Sequence, residues 1–314
     1  MCPINLAHGA GQEKALRYAA TLARMFAAKL YVCHSIENVE LLGTQIIEAT
    51  EADLRKYVGE LMSMLFFQAE EAAPDWESFV VSDNDPSEAI AREAAKRRVD
   101  LIVMCSRRRP LRAALIGSTA ERVCRTAPCP VLVTHPDQRE WMNGKPDALS
   151  LKRVLVAHDF SDYAEVALNC ARLFAQKNRV ELHLLHVLPA PLINEPELAW
   201  TQGVAEGTYH KAARQLQHFV PTEARRWHEV KTLVRWGKPY GEVLAYAKDQ
   251  QIDLICMGAH GAGFEMQALF GSNVDRVLRQ APCPVLIARP LKPSLAAPDL
   301  QDLARSTSEH LNRN

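Results

Sequence analysis

Three glycines at fixed gaps are the residues of this sequence whose type and spacing best fit binding chemistry. They occur in the stretch GAHGAGFEMQALFGSN as Gly258, Gly261 and Gly271, after the apolar run DLICM and before a predicted helix that begins near Ser272 and Asn273. Glycine lets the backbone adopt positive φ and approach a ligand closely. The N–H groups of a helix start favour a phosphate. The pattern predicts a bound nucleotide; the alternative is that the glycines only shape a surface loop.

Two common nucleotide-binding motifs are absent from the sequence. A P-loop needs a glycine, four residues and then Gly-Lys-Ser/Thr, whereas Gly237-Lys238 is followed by Pro239. The dinucleotide motif G-x-G-x-x-G also fails, because Met266 stands where its last glycine should be. The spacing that is present is Gly-x2-Gly-x9-Gly-Ser.

Composition limits the classes of protein to which the chain can belong. Its 314 residues suit two domains, and 48% hydrophobic with 24% charged residues is typical of a soluble globular protein. A formal net charge of zero predicts no bulk attraction to nucleic acid or to a membrane surface. We see no signal peptide and no run of eighteen apolar residues, so we expect a cytoplasmic protein.

The sequence predicts no metal site. The eight cysteines form no C-x-x-C pair and no zinc-type spacing, so we interpret them as buried free thiols in a reducing compartment. His183 and His186 lie three residues apart on a predicted strand. Side chains at that spacing point to opposite faces, so these two histidines are poorly placed to share one ion.

The chain repeats itself at a spacing of about one domain. DLIVM at 100–104 returns as DLICM at 253–257, and APCPVL at 127–132 returns unchanged at 281–286. AHGAGQEKAL also resembles AHDFSDYAEVAL, which aligns His8 with His158. A spacing of this length indicates a duplicated domain rather than a solenoid repeat.

The repeat predicts four segments. A first domain covers 1–137, a linker rich in turn formers covers 138–150, and a second domain covers 151–290. The tail at 291–314 either carries a short helix around Leu300 or is disordered.

Strands and helices alternate within the second copy. We expect five strands, with RVLVA as the first and DLICM as the fourth, and Ser161 or Asp162 as the N-cap of the first helix. Such alternation predicts an α/β fold in which each domain is a five-stranded parallel sheet with helices on both faces. Ligands of such sheets bind beyond the carboxyl ends of the strands, where the strand order reverses.

With the glycine pattern and the stretches APCPV and DLICMG, the chain resembles a tandem universal stress protein over nearly all of residues 1–290. The resemblance implies the adenine nucleotide alpha hydrolase-like fold in both domains. It also implies ATP or AMP as the ligand, with or without Mg²⁺. The implied role is a stress-response protein in which the nucleotide regulates shape or the choice of an unidentified protein partner.

The resemblance also implies which residues bind the nucleotide. Asp159, just after the first strand, would bind the adenosine part, and the backbone of Val187 would contact adenine. The remaining implied binding residues are Ala157, Met257 and Gly258 at the strand ends, and His260, Gly261, Gly271, Ser272 and Asn273 around the phosphates.

The first copy departs from this pattern. Cys105 stands at the place of Gly258, arginine replaces the second glycine, and Gly9 or a neighbour stands where Asp159 would be. Its first strand, predicted at 4–7, begins almost at the first residue and is short. We therefore expect a degenerate domain without nucleotide, in which Arg107 to Arg109 form a solvated basic loop or grip another anion.

A dedicated catalytic site is not visible in the sequence. Phosphoryl transfer needs a positioned metal and usually a cationic partner, but the glycine loop contains no lysine. His260 would touch a phosphate or orient a water, or else be an ordinary exposed loop histidine. Slow ATP hydrolysis stays open, as does a partner-binding scaffold without a functional nucleotide.

The last strand of each copy predicts how the halves assemble. An exposed apolar edge strand is a pairing hazard unless it is covered. We expect Val131 to Val133 to pair with Val285 to Ile287, which would make the chain an intrachain pseudo-dimer. Further pairing of whole chains stays open.

Overall fold

The computed structural model describes residues 1–6, 9–36, 43–67, 72–106, 117–139, 141, 151–177, 180–189, 202–220, 229–261 and 271–289. Statements about the fold refer to these ranges. The predicted helix around Leu300, the arginines at 107–109 and most of the predicted linker lie outside them.

The first half contains five strands and four helices within the described ranges. In chain order they are β1 (Cys2–Pro3), α1 (Gly9–Met25), β2 (Leu30–Ile36), α2 (Gly43–Phe66), β3 (Trp76–Ser82), α3 (Pro86–Lys96), β4 (Ile102–Cys105), α4 (Ser118–Thr126) and β5 (Val131–Thr134).

The second half repeats this order of elements. They are β6 (Arg153–Ala157), α5 (Asp162–Lys177), β7 (Glu181–Pro189), α6 (Gln202–His218), β8 (Val230–Gly237), α7 (Pro239–Asp249), β9 (Leu254–Gly258), α8 (Ser272–Gln280) and β10 (Val285–Ala288). Its strands pair in the order β8-β7-β6-β9-β10, all parallel, so the strand order reverses between β6 and β9. The predicted five-stranded parallel sheet is confirmed here.

The central strand of the first half is very short. β1 has two residues, it pairs in parallel with β2, and β2 pairs with β3. The Met1 carbonyl accepts a hydrogen bond from Val103 N at 2.8 Å, which brings β1 beside β4. The strand predicted at 4–7 is therefore displaced toward the start of the chain, and Asn5 already lies outside it.

Contacts of two histidine side chains with backbone carbonyl groups correct the sequence alignment of the two copies. In the first half His34 Nδ1 lies 3.0 Å from Ile4 O, and in the second half His186 Nδ1 lies 2.7 Å from His158 O. Ile4, and not His8, is thus the structural equivalent of His158.

The two halves join edge to edge through their last strands. β5 and β10 run antiparallel, with Leu132 opposite Leu286 and with Val131 and Val133 opposite Ile287 and Val285. The predicted pairing of these segments is confirmed. Because each strand covers the apolar edge of the other, β4, β5 and the five strands of the second half form one seven-stranded sheet.

Helices cover both faces of the sheets, and each face has its own apolar core. One cluster of buried side chains joins the strands to α1, α2, α5 and α6, and the other joins them to α3, α4, α7 and α8. All eight cysteines are free thiols, of which only Cys105 and Cys170 are partly exposed. Burial raises the pKa of the Cys124 thiol to about 12. No helix in the described ranges has the length and apolarity needed to cross a membrane.

Candidate functional site

The candidate site lies where β6 and β9 end side by side at the reversal of strand order. Ala157 and Met257, two of the predicted binding residues, are register partners across this boundary. Leu185 of β7 pairs with Ala157 on its other side, and Val187 follows two residues later at the same edge of the sheet. The fold thus brings three predicted residues from three neighbouring strands to one edge.

A tight turn after β6 fixes the orientation of the Asp159 carboxylate. Its Oδ1 accepts hydrogen bonds from Ser161 N at 3.2 Å and from Ser161 Oγ at 2.6 Å. Ser161 Oγ in turn accepts a hydrogen bond from Ala164 N at 3.2 Å, so Ser161 is the N-cap of α5. One oxygen of the carboxylate is therefore held by the turn, which positions the other, Oδ2.

The same turn contains a residue with unusual backbone geometry. Phe160 has φ of +68°, a conformation that costs a non-glycine residue roughly 1 kcal/mol or more and clusters at functional sites. Its N–H donates to His158 Nδ1 at 3.2 Å, which helps to hold this conformation. Phe160 was not among the predicted site residues. The feature of the sequence that could have indicated it is the Asp-Phe-Ser triplet between a strand and a helix.

An aromatic cluster supports the turn on the α6 side. The ring of His158 is buried and lies 4.3 Å from the ring of Phe219, while the ring of Phe160 lies 4.2 Å from that of His186. Burial disfavours the charged imidazolium and lowers the pKa of His158 to about 4. His158 is therefore a neutral packing residue at physiological pH.

Gly258 is a glycine because helix α5 packs directly against it. A Cβ at this position would lie 2.6 Å from Tyr163 Cβ and 2.8 Å from the Tyr163 carbonyl carbon. The first half reverses this arrangement, since a Cβ on Gly11 of α1 would lie 2.8 Å from Cys105 Sγ. In each half the strand end and the helix have room for one side chain between them. The difference between Gly258 and Cys105 is therefore explained by helix packing alone.

Gly261 lies against the Asp159 carboxylate. A Cβ built on Gly261 would be 2.7 Å from Asp159 Oδ2, closer than such atoms approach in proteins. Neither Gly258, Gly261 nor Gly271 has positive φ, so the expectation that these glycines are needed for that conformation is wrong. Close approach is what the structure requires at Gly261.

Helix α8 begins without a side-chain cap. Gly271 is its N-cap residue, with φ of −57° and ψ of 131°, and it has no side chain with which to cap the first N–H groups. The first N–H groups of an α-helix have no intrahelical acceptor, and here they belong to Ser272, Asn273 and Val274. Together with the helix dipole, this end of α8 favours an anion.

His260 is placed differently from the exposed loop histidine that we considered. Its side chain is 8% exposed, and its ring meets that of Tyr163 edge-on at 5.1 Å. The interpretation as an ordinary exposed residue is therefore wrong. His260 packs on Tyr163 in the first turn of α5, and Tyr163 is also the residue that leaves no room for a side chain at position 258.

The first half keeps the helix end of the site but not the carboxylate. Asn5 follows Ile4 as Asp159 follows His158, so an amide, and not Gly9 or a neighbour, occupies the Asp159 position. Gly117 caps α4 with φ of −54° and ψ of 135°, almost as Gly271 caps α8. The two halves therefore differ in the charge of the residue after the first strand, Asn5 or Asp159. They hardly differ in the geometry at the start of the last helix, α4 or α8.

The two histidines considered as metal ligands face opposite sides of the sheet, as predicted. His183 Nδ1 lies 2.6 Å from the Tyr246 hydroxyl on the α7 side, whereas His186 lies against His158. Within the described ranges, no group of three or more His, Cys, Asp or Glu side chains is arranged to hold a metal ion.

Comparison with known proteins agrees with this architecture. The sequence model of the universal stress protein family matches the chain twice, at residues 4–135 and 150–289. The chain belongs to the universal stress protein family. It is a tandem member, because both halves match the family.

Individual members of the family resemble the chain over one half or over both. A universal stress protein of Methanocaldococcus jannaschii is 28% identical over 153 residues, which are 44% of this chain and 94% of that protein. One from Mycolicibacterium smegmatis is 24% identical and spans 90% of this chain and 94% of its own length. The crystal structure of one from Archaeoglobus fulgidus has a TM-score of 0.62 at 22% identity, with 91% of this chain and 96% of that chain covered.

At least one universal stress protein binds an adenine nucleotide, since its structure was solved in complex with cAMP. That protein is 19% identical to this chain, with a TM-score of 0.34 and 44% of this chain and 97% of that chain covered.

Proposed function

We propose that the second half of the chain binds one adenine nucleotide, ATP or AMP, at the edge where β6 and β9 end. The observation that carries the proposal is the close approach of the Asp159 carboxylate to Gly261, with 2.7 Å from Oδ2 to a Cβ built on Gly261. It joins the β6 turn to the loop after β9, which are the two segments that must meet around a ligand at this edge.

The adenosine part would lie on the β6 and β7 side. Asp159 Oδ1 accepts hydrogen bonds from Ser161, and the carboxylate would also accept one from a hydroxyl or amine of the nucleoside. Val187 lies near the carboxyl end of β7, at the same edge of the sheet, and would offer its backbone to adenine. Ala157 and Met257 would form the floor between them.

The phosphates would lie over Gly261 and the start of α8. The N–H groups of Ser272 and Asn273 and the positive end of the helix dipole favour negative charge there. The loop from Gly258 to Asn273 contains no lysine or arginine to neutralise a triphosphate. Mg²⁺ bound to the phosphates would supply that charge, and we therefore expect Mg²⁺ to affect ATP binding more than AMP binding.

We propose that the first half does not bind nucleotide. Asn5 replaces the carboxylate, and a neutral amide is a weaker hydrogen-bond acceptor than an ionised carboxylate. The helix start at Gly117 remains, but a helix N-terminus alone attracts an anion without selecting an adenosine.

The proposed role is regulation through binding rather than catalysis. Within the described part of the site we find Asp159 and His260, of which the first is engaged in a turn and the second is packed on Tyr163. We propose that the bound nucleotide biases the shape of the chain or its choice of a protein partner, with slow hydrolysis and a nucleotide-independent scaffold as the rivals.

Isothermal titration of the full chain with ATP and with AMP, with and without Mg²⁺, tests the proposal. We expect one site per chain. The two helix caps provide a matched pair of variants, because a Cβ on Gly117 meets nothing within 4 Å and one on Gly271 meets atoms only at 3.5 Å. Gly271→Ala should weaken binding, and Gly117→Ala should leave it unchanged.

Two equal sites per chain, or equal effects of the two variants, would show that the assignment to the second half is wrong. Mass spectrometry of any small molecule that co-purifies would identify the nucleotide. Timed hydrolysis in the same sample separates a binding protein from a slow ATPase. No binding of either nucleotide at millimolar concentration would favour the scaffold.

A further inference from the structure

A short segment after β5 fastens the first half to the second. The segment, His135–Arg139, is called the strap below. Gln138 Nε2 donates to Ala281 O at 3.1 Å and Arg139 N donates to Pro282 O at 3.3 Å, both just beyond α8. From the first half, the buried Lys14 ammonium donates to Gln138 O at 2.8 Å. The strap thus donates hydrogen bonds to backbone carbonyl groups of the second half and accepts one from Lys14 of the first half.

The ring of His135 lies between two carbonyl oxygens. Its side chain is 1% exposed, Nδ1 is 2.7 Å from Ser106 O at the end of β4, and Nε2 is 2.7 Å from Leu278 O on α8. A neutral imidazole carries a proton on one nitrogen only, so its second nitrogen would direct a lone pair at a carbonyl oxygen. Only the doubly protonated ring donates to both halves.

The α8 side of this contact favours a positive charge. Leu278 lies in the last turn of α8, where carbonyl groups lack intrahelical partners and the helix dipole is negative. A cation at such a helix end is stabilised, most of all where the site is partly buried.

The second half contains an equivalent contact in which the basic side chain is an arginine, which stays charged throughout the physiological pH range. β5 and β10 pair symmetrically, so His135 and Arg289, which follow them directly, are equivalent. Arg289 Nη1 donates to Cys124 O on α4 at 3.4 Å, and Cys124 occupies on α4 the place that Leu278 occupies on α8. Each half therefore sends a basic side chain to the last turn of the other half's final helix.

We propose that His135 bridges the two halves as an imidazolium ion, so that the strap is a proton-dependent clamp. When the proton leaves, one of the two N–H···O contacts is lost and a lone pair faces a carbonyl oxygen in its place. A free histidine loses its proton near pH 6.5. Burial by itself disfavours the charged ring, as it does for His158, so the two carbonyl contacts and the end of α8 must outweigh that cost. The folded chain then holds the proton to higher pH, and the stabilisation is complete below about pH 6.5 and is lost as the pH rises.

Other ionisable groups lie on the elements that pack against the ring, and their titration must be separated from that of His135. On the elements packed against His135 they are Cys105 at the end of β4, Lys14 of α1, Asp137 and Arg139 in the strap, Arg289 after β10, and the ion pair of Arg279 with Asp275 on α8. All of them are retained when only residue 135 is changed, so a difference between variants at this position isolates the ring.

The direct test is the protonation state of the ring in the folded full-length chain. With ¹⁵N-labelled histidine, long-range ¹H–¹⁵N spectra distinguish a ring protonated on both nitrogens from either neutral tautomer. The His135 signals are assigned by their loss in His135→Arg. We expect both nitrogens to be protonated at pH 7.5. A neutral ring at that pH, or a midpoint at or below about pH 6.5, overturns the proposal.

Urea unfolding from pH 6.0 to 8.5 tests the consequence. The unfolding equilibrium constant of the wild type should rise by up to about tenfold per pH unit relative to His135→Arg, which keeps the charge as Arg289 does. His135→Gln should be less stable than wild type at pH 6.0 and approach it at pH 8.5. His218→Gln, at an exposed histidine whose Nδ1 lies 2.7 Å from Arg214 O, should follow the wild type. Parallel pH profiles for wild type and His135→Arg would refute the clamp.

Discussion

Replacement of Gly261 by alanine tests whether this residue acts on the nucleotide through Asp159. The new Cβ would lie 2.7 Å from Asp159 Oδ2, so the carboxylate must turn away. Because Oδ1 is bonded to Ser161 Oγ at 2.6 Å, turning breaks or lengthens a charge-assisted hydrogen bond. Such a bond contributes about 1.5–3 kcal/mol. If the turned carboxylate also loses its proposed hydrogen bond to the nucleoside, which is worth a similar amount, Gly261→Ala should raise the Kd for ATP by about 10- to 150-fold.

The assay is isothermal titration combined with a double-mutant cycle. Asp159→Ala removes the atom with which the new Cβ collides, so the double variant Gly261→Ala/Asp159→Ala should bind ATP no more weakly than Asp159→Ala alone. Gly207→Ala, on α6, is the matched control, because a Cβ there meets nothing within 4 Å. Loss of the bond to Ser161 should also lower the free energy of unfolding of the single variant in urea, by no more than about 1.5–3 kcal/mol.

Two results would refute this reasoning. Wild-type affinity in Gly261→Ala would show that the carboxylate orientation does not matter for binding. Additive losses in the double variant would show that Gly261 acts independently of Asp159, for example through direct contact of the ligand with its backbone.

Three further predictions concern stability. Gly258→Ala places Cβ 2.8 Å from the Tyr163 carbonyl carbon and should cost about 3 kcal/mol in urea unfolding, whereas Gly241→Ala, with its nearest atom at 3.9 Å, should cost nothing. Burial lowers the pKa of His158 to about 4, below the unfolded value near 6.5. The free energy of unfolding should therefore be highest above about pH 6.5 and should fall by about 3 kcal/mol toward pH 4. His158→Asn should not show this fall in the same pH titration. Ser161→Ala removes the N-cap of α5 and should cost about 1 kcal/mol, which Ser161→Thr should largely restore.

The sequence by itself determined the architecture of this protein. The duplicated stretches DLICM and APCPVL indicated two copies, and alternating apolar runs and amphipathic segments indicated parallel sheets covered by helices. The apolar strand after each APCP stretch predicted the pairing of Val131 to Val133 with Val285 to Ile287. These features depend on local pattern and on the general cost of exposing apolar edges, so a linear sequence contains them.

The tertiary structure alone decided what individual residues do. The matching Ala-His pairs aligned His8 with His158, but the backbone bonds of Ile4 N to Cys33 O and of His158 N to Leu185 O place Ile4 at that position, because register depends on which carbonyl faces which N–H. Gly258 is small because Tyr163 lies against it, and no spacing in the sequence reports that contact.

The same limit applies to the histidines. His260 is buried on Tyr163, and His135 lies between Ser106 and Leu278, residues 29 and 143 positions away in the chain. Nothing in the residue type distinguishes these two from an exposed histidine. Their environment is created by packing between distant segments, and it is this packing that sets the charge of each ring and the chemistry open to it.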